Sequence, residues 1–124
     1  MIKLTQLLNR VRDETRGEIQ IHLSRNPFEK DPMKRALEIF NAYHLENTST
    51  EHNAVLVYLN LRKRKFAVVA GSGIHAKLKQ RYWDLLAEQF SEDLSSTHYE
   101  NALTLVTYSL LETYKKHYAR AATP

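Results

Sequence analysis

The sequence predicts an α/β protein, specifically an α/β/α sandwich in which a small mixed β-sheet lies between helices. Two observations predict this class: segments with helical apolar spacing alternate with short strand-like runs, and the two most apolar runs flank a short charged turn. The predicted order of elements is α-β-α-β-β-α-α. With 124 residues and no repeat or linker, the chain fits one domain, which we expect to cover residues 1–124.

The first element is predicted to be an amphipathic helix over the first fifteen residues. Four apolar side chains recur there at helical spacing: Leu4, Leu7, Leu8 and Val11. Gly17 is expected to end this helix. Residues 18–23 then alternate between apolar and polar side chains, which is typical of a half-buried strand. The face expected to enter the core carries Ile19, Ile21 and Leu23.

Asp31 and Pro32 predict the start of the second helix, because aspartate caps helix N-termini and proline is favoured at the first helical position. We expect this helix to end near His44. Its spacing predicts a buried face formed by Met33, Ala36, Leu37 and Phe40. The polar segment 46–51 is predicted to connect this helix to the next strand.

Two apolar runs predict a β-hairpin in the middle of the chain. Residues 54–59 are almost continuously apolar, as in a central strand that is covered on both faces. Residues 65–70 resume the pattern after a charged turn, so the two strands are expected to be antiparallel. The start of the first strand and the end of the second should therefore lie at one edge of the sheet.

Two further helices are predicted after the hairpin. An apolar stripe runs through the first of them: Leu78, Tyr82, Leu85, Leu86 and Phe90. A loop is predicted over residues 91–97, with Ser95, Ser96 and Thr97 available as caps. The last helix, about residues 99–120, is expected to present an apolar side formed by Ala102, Leu105, Val106, Leu110 and Tyr114. Its end, with Tyr114, His117 and Tyr118, is expected to project and to form a homo-oligomer contact.

Composition excludes several classes of protein. The chain has no cysteine, which excludes a disulfide framework, a thiol nucleophile and thiolate-held metal clusters. Its apolar runs are far shorter than the roughly 20 residues that span a bilayer, and its N-terminal residues do not resemble a signal peptide. We therefore expect no membrane span and a cytoplasmic location. The net charge of +4 is mild and provides no strong nucleic-acid signal.

Residues 71–76 match the Gly-x-Gly-x-x-Gly/Ala pattern of dinucleotide-binding turns. No strand-like run follows this segment, so the parallel βαβ unit that such a site needs is not predicted. The two glycines are better explained as permitting a tight turn between strand and helix. The same segment is too short for the Gly-x-Ser-x-Gly elbow of a serine hydrolase.

The candidate functional site lies where the hairpin strands meet at one edge of the sheet. It comprises residues on either side of the hairpin: His52, Asn53, Gly71, Ser72, Gly73 and His75. No two of the six histidines have the i, i+4 spacing of a zincin helix, so a metal site would have to be assembled by the fold.

These segments together resemble a known family, the TPM domain. The resemblance rests on a Gly-Glu-Ile strand at 17–21, an Asn-x-Val strand at 53–58, an Arg-Lys strand ending in Gly-x-Gly-Ile at 64–75, and Trp83 in the next helix. It covers roughly residues 5 to 118. The chain is similar to a short bacterial branch without signal peptide or membrane anchor, often found beside a longer membrane-attached TPM protein and a LemA-type membrane protein.

The resemblance implies an α/β/α sandwich and a site whose chemistry has changed. Plant members of the family are acid phosphatases that bind a divalent metal ion. The longer bacterial relatives carry Asp-Asn-Gly before the second strand and Gly-x-Gly-Leu-Glu after the third, and here both acidic positions are histidine, His52 and His75. Imidazole suits zinc, copper or nickel better than calcium or magnesium. We therefore expect the metal site to be either lost or retuned to a softer metal.

These observations lead to three alternative predictions of function. The first is a binding or assembly module that works with a membrane-attached TPM or LemA-type system. The alternative is a metal-dependent phosphatase in which His52, Asn53 and His75 hold the metal ion and Arg64 offsets phosphate charge. The third is a weak nucleic-acid binder that uses the basic hairpin tip at residues 62–65, although a solvated turn is the simpler explanation of that cluster.

Overall fold

The computed structural model describes residues 3–120. The helices are α1 (Leu4–Glu14), α2 (Pro32–Ala42), α3 (Ser72–Ser96) and α4 (Tyr99–His117), and the strands are β1 (Glu18–Ser24), β2 (Ala54–Asn60) and β3 (Lys65–Ala70). A short 3₁₀ turn at Leu45–Asn47 precedes β2. The predicted α/β class and the order α-β-α-β-β-α-α are confirmed.

The chain divides into two compact units. One comprises residues 3–18 and 88–120, and the other comprises residues 19–87. Within residues 3–120, no helix is both long enough and apolar enough to cross a membrane. The assignment of residues 1–124 to one domain stays a prediction.

The three strands form a mixed sheet in the order β1-β2-β3, so β2 is the central strand. β2 and β3 pair in antiparallel fashion, with Val55 opposite Ala70 and Asn60 opposite Lys65, as the hairpin pattern predicts. β1 and β2 end side by side, where Leu61 N donates to Ser24 O at 2.8 Å. These two strands therefore run in the same direction.

Strand β2 is buried along its whole length, and each of its residues is at most 1% exposed. This agrees with its continuous apolar sequence. Within the unit of residues 19–87, α2 and the 3₁₀ turn form a core cluster with β2 and β3: Ala36, Ile39, Phe40, Leu45, Ala54, Leu56, Tyr58, Ala67 and Val69. α2 begins as predicted, because Asp31 accepts from Met33 N and Lys34 N at 3.0 and 3.2 Å.

Several side chains that were predicted to face the core are exposed. Met33 and Leu37 on α2 are each 44% exposed, and Ile39 is buried in their place. Leu23, near the end of β1, is also 44% exposed. On α4, Leu105 is exposed while its neighbour Leu103 is buried. Helical spacing identifies an apolar stripe, but a rotation of one position about the helix axis changes which of its members are buried.

Helix α3 is longer than predicted. The loop predicted over residues 91–97 is wrong, because α3 continues to Ser96. The Ser95 and Ser96 hydroxyls both donate to Glu92 O at 2.9 Å, so these side chains bond to the preceding turn instead of capping the next helix. His98 occupies the N-cap of α4.

A kink divides α3 at Lys79, whose φ of 66° and ψ of 163° lie outside the helical region. The predicted continuous stripe is therefore interrupted: Trp83 and Phe90 are buried, whereas Leu85 is 50% exposed. A residue other than glycine held in such a conformation costs about 1–3 kcal/mol.

In the unit of residues 3–18 and 88–120, α1 packs against α4. The connection after α1 is held by the end of α4, where Arg16 N donates to Tyr118 O at 2.8 Å and Tyr114 Oη donates to Glu18 O at 3.0 Å. The Tyr114 ring lies so close to Gly17 that a Cβ there would overlap it. The prediction that Tyr114 and Tyr118 project is wrong, because both are buried; a homo-oligomer stays a prediction.

We expect Lys79→Gly to raise the free energy of unfolding by about 1 kcal/mol, because glycine adopts positive φ without the steric cost that a side chain incurs. Urea denaturation measures the change. Glu88→Gly, at an exposed helical position of α3, is the matched control and should lower it by about 1 kcal/mol. If both glycine variants were destabilised equally, position 79 would not be strained.

Candidate functional site

The structure brings the two halves of the predicted site together at the edge where β2 begins and β3 ends. Gly71 N donates to Ala54 O at 2.8 Å, and Gly73 N donates to His52 O at 2.9 Å. Asn53, at the start of β2, is buried with 1% of its surface exposed. The segments that precede β2 and follow β3 are therefore hydrogen-bonded to each other at one edge of the unit of residues 19–87.

Gly71 and Gly73 are required by close packing. Among the described residues, no glycine has a positive φ, so these two permit the predicted turn between strand and helix through close packing and not through a left-handed backbone conformation. A Cβ on Gly71 would overlap the carbonyl oxygen of His52, and a Cβ on Gly73 would overlap that of Glu51. The missing side chains let the start of α3 approach the backbone before β2.

Glu46 is the site residue that sequence reasoning missed. It lies in the 3₁₀ turn, and its carboxylate oxygens accept hydrogen bonds from Ser72 N and Ser72 Oγ, each at 2.7 Å. Ser72 is the first residue of α3, where backbone N–H groups lack partners within the helix. The only sequence signal for this contact is an acidic residue in a polar connection, 26 positions before the serine.

His52 contacts the same residue. Its Nδ1 lies 2.7 Å from the backbone oxygen of Glu46 and 3.8 Å from Glu46 Oε2. In the neutral imidazole, the bond to the backbone oxygen requires the proton on Nδ1 and leaves the lone pair on Nε2. The His52 carbonyl oxygen accepts from both Gly73 N and Ile74 N. The side chain and the backbone of His52 thus join the 3₁₀ turn to the start of α3.

The surroundings of Glu46 favour its charged form. Hydrogen bonds from the Ser72 hydroxyl and then from the Ser72 N–H, with a smaller contribution from His52, hold the pKa of Glu46 below its usual value. Partial burial acts in the opposite direction. The carboxylate is therefore ionised at neutral pH and is a weak base.

The His75 side chain contacts residues of its own helix, α3. Its ring stacks parallel to that of Trp83, with centroids 6.2 Å apart, and its Nε2 lies 3.1 Å from Gln80 Oε1. Gln80 in turn donates to Asp84 Oδ1 at 2.9 Å. Both partners of His75 follow the kink at Lys79. The imidazole is consequently packed against the second segment of its own helix, whereas His52 is bonded to the 3₁₀ turn.

Arg64 does not belong to this edge of the sheet. It lies in the turn between β2 and β3, at the opposite end of strands that are six and seven residues long. At about 3.3 Å per residue, this separation is roughly 20 Å. The expectation that Arg64 offsets the charge of a phosphate bound near His52 and His75 is therefore wrong, because a hairpin places its turn and its open end at opposite edges.

The side chains at this edge fit a divalent cation poorly. In the described part of the chain, no three histidine, aspartate or glutamate side chains cluster closely enough to hold a metal ion. Both Glu46 oxygens accept from Ser72, and one ring nitrogen of each histidine is already in a hydrogen bond. A metal role for His52 and His75 stays a prediction.

Comparison with known proteins gives one family and a shared fold. A family model described as the TPM domain matches residues 2–113. No curated protein shows significant similarity to the chain. The NMR structure of the BA42 protein from the psychrophilic bacterium Bizionia argentinensis is similar, with a TM-score of 0.78 at 22% identity, over 93% of this chain and 80% of that one.

A second similar structure is the solution NMR structure of the N-terminal domain of the cg2496 protein from Corynebacterium glutamicum. Its TM-score is 0.71 at 11% identity, over 98% of this chain and 75% of that one. At these levels of identity, the two structures show that the fold is shared and show nothing about activity.

We expect Glu46→Gln to lower the free energy of unfolding by about 1 kcal/mol at pH 7, because hydrogen bonds to a charged acceptor are lost and the site is partly exposed. The folded-state pKa of Glu46 is lowered, so its stabilisation is complete above the unfolded-state pKa and is lost as the pH falls through the folded-state pKa. Urea denaturation should show the difference from wild type shrinking below about pH 4.

Glu88→Gln, which changes an exposed carboxylate on α3, is the control for this experiment and should have little effect at any pH. A difference between Glu46→Gln and wild type that stayed constant from neutral to strongly acid pH would contradict the role given to the charged carboxylate.

Proposed function

This chain belongs to the TPM domain family, and from that premise we propose that it is a binding or assembly module that works with a membrane-attached TPM or LemA-type protein. The contact between Glu46 and Ser72 carries this proposal. A phosphoryl group bound at the start of α3 would use the N–H and hydroxyl donors of Ser72. Those donors are already bound to the chain's own carboxylate.

The remaining groups at this edge also favour binding over catalysis. Ser72 Oγ donates to Glu46, whose lowered pKa makes it a poor general base for activating a hydroxyl group. His52 directs its Nδ1 to a backbone oxygen, and His75 stacks on Trp83. Neither of these contacts places an imidazole beside Ser72 as its general base. These internal bonds stabilise the edge of the sheet and prepare no reacting group.

The alternative is a metal-dependent phosphatase, and one observation favours it. A neutral His52 with its proton on Nδ1 presents the Nε2 lone pair that a soft divalent metal ion would bind. If bound there, the metal would polarise a phosphoryl oxygen. His75 would have to leave Gln80 for its Nε2 to join the same ion.

A third candidate is weak nucleic-acid binding through the hairpin tip. All four basic residues at 62–65 are exposed, although the Lys63 ammonium group donates to Glu29 O at 2.9 Å. This candidate, like the cytoplasmic location, stays a prediction.

One experiment separates the module from the phosphatase. Calcium, magnesium and zinc are titrated while amide NMR shifts are recorded, and hydrolysis of p-nitrophenyl phosphate is assayed on the same samples. We expect no hydrolysis of p-nitrophenyl phosphate. We also expect that no metal ion selectively shifts the amide signals of residues 51–53 and 71–75. Trp83 is the single tryptophan, so its fluorescence reports independently on the ring stacked against it, His75. Quenching by nickel or copper would place those ions at that ring.

The control compares His52→Ala with His117→Ala, which removes a histidine near the end of α4. Turnover that requires a metal ion, is lost in His52→Ala and is kept in His117→Ala would establish the phosphatase and overturn the proposal. The module itself predicts co-elution on size exclusion with the membrane-attached TPM or LemA-type protein encoded by the same genome. Absence of co-elution with both would contradict it.

A further inference from the structure

The end of the sheet opposite the candidate site joins two segments that are distant in sequence. Asn60 Nδ2 donates to Asn26 O, and Lys63 Nζ donates to Glu29 O, both at 2.9 Å. Together with the bond from Leu61 N to Ser24 O, they hold the hairpin tip beside the connection between β1 and α2. The cations of both segments consequently lie at the same end of the sheet.

This surface, which we call the basic end, carries eight exposed cationic side chains: Arg25, Lys30, Lys34, Arg35, Arg62, Lys63, Arg64 and Lys65. Residues 25–38 and 60–65 contain these eight basic residues and three acidic ones, which gives a net charge of +5. Because the whole chain carries +4, all other residues together carry −1. The entire positive excess of the protein is therefore concentrated at the basic end.

The three acidic residues of the basic end are engaged within the protein. Glu29 accepts from Asn60 and from the Tyr58 hydroxyl, Asp31 caps α2, and Glu38 pairs with Arg35 at 3.2 Å. The carboxylates thus leave most of the cations uncompensated. An uncompensated cluster of this kind attracts a polyanionic surface.

A large apolar side chain stands among these cations. Phe28 is 84% exposed, the highest value among the exposed large hydrophobic residues, and its N–H donates to Asn26 Oδ1 at 3.0 Å, which fixes the turn that presents it. Met33, in the first half of α2, is 44% exposed close by in sequence. Apolar side chains surrounded by lysine and arginine are typical of surfaces that bind at a membrane interface.

We propose that the basic end docks on the surface of an anionic lipid bilayer. Phe28 enters the boundary between headgroups and acyl chains, and the surrounding cations contact headgroup phosphates and carboxylates. A platform for single-stranded nucleic acid uses several aromatic side chains along a basic groove. Here Phe28 is the single exposed aromatic residue in the described segments of the basic end, and its companion is the aliphatic side chain of Met33. This proposal does not depend on the proposed function, which concerns the opposite edge of the sheet.

Co-sedimentation with vesicles tests this docking. We expect the chain to pellet with phosphatidylcholine vesicles that contain about 30% phosphatidylserine and to stay in solution with phosphatidylcholine alone. Raising the salt from about 0.1 M to about 0.5 M should release it, because exposed charges are screened. Arg62→Glu with Arg64→Glu should weaken partitioning at least about 25-fold, since each cation near an anionic surface contributes roughly fivefold. Phe28→Ser should weaken it by about tenfold.

Two matched controls locate the effect. Arg12→Glu with Lys116→Glu changes the net charge by the same amount on exposed sites of α1 and α4, and Tyr43→Ser removes an exposed aromatic side chain at the far end of α2. Both should partition like wild type. If urea denaturation shows that the Arg62 and Arg64 pair is destabilised, Lys30→Glu with Lys34→Glu removes two cations from the same surface instead.

Three results would overturn the proposal. The first is the absence of pelleting with the phosphatidylserine vesicles at low salt. The second is an equal loss in the control pair, which would mean that net charge alone determines binding. The third is a single-stranded RNA oligonucleotide that binds with the same sensitivity to Arg62→Glu and Arg64→Glu while the vesicles are not bound, which would assign the basic end to nucleic acid.

Discussion

Complete burial of β2 is the constraint on which the rest of the structure depends. Its apolar side chains stabilise the fold by leaving water, at about 25 cal/mol for each Å² removed. Its two polar side chains, Tyr58 and Asn60, are also fully buried and therefore need partners inside the protein. Glu29 accepts hydrogen bonds from both. Burial, and then the hydrogen bond to Glu29, raise the pKa of Tyr58, so the phenol stays protonated and remains a donor.

At both ends of β2, polar groups find hydrogen-bond partners within the protein, but the two ends differ in the charge that they leave exposed. Before β2, the carboxylate of Glu46 bonds to Ser72 and lies beside His52, so polar groups at that edge are compensated within the protein. At the end of β2, Asn60 organises the hairpin by accepting from Arg62 N and Lys63 N and by donating to Glu29. The Glu29 carboxylate at this end accepts hydrogen bonds from the buried side chains of Tyr58 and Asn60, and the neighbouring cations face solvent. One edge is internally neutralised, and the other is left strongly positive.

Membership of the family predicts the fold of this chain but does not predict the chemistry of its sheet edge. Solved structures at 11% and 22% identity share the fold, which fits a fold stabilised by the packing of a buried sheet. Where the family resemblance expects two acidic residues at the sheet edge, this chain has His52 and His75. An acidic side chain is nevertheless present, since Glu46 reaches this edge from the 3₁₀ turn. From that position it binds the start of α3, which explains why the edge is better suited to holding the fold together than to holding a metal ion.

The sequence by itself determined the elements and their order: Asp31 and Pro32 mark the start of α2, and the apolar runs locate β2 and β3 almost to the residue. It also brought His52 and His75 to one edge, because an antiparallel hairpin has no other arrangement. Only the tertiary structure decided which rows of α2 and α4 are buried, that α3 kinks at Lys79, and that Glu46 binds Ser72. It also gathered Arg25 and Arg62 at the same end of the sheet. Apolar periodicity indicates which side chains of one element are buried. A residue that pairs with a charge or binds a helix end can be distant in sequence, and a local pattern then does not identify it.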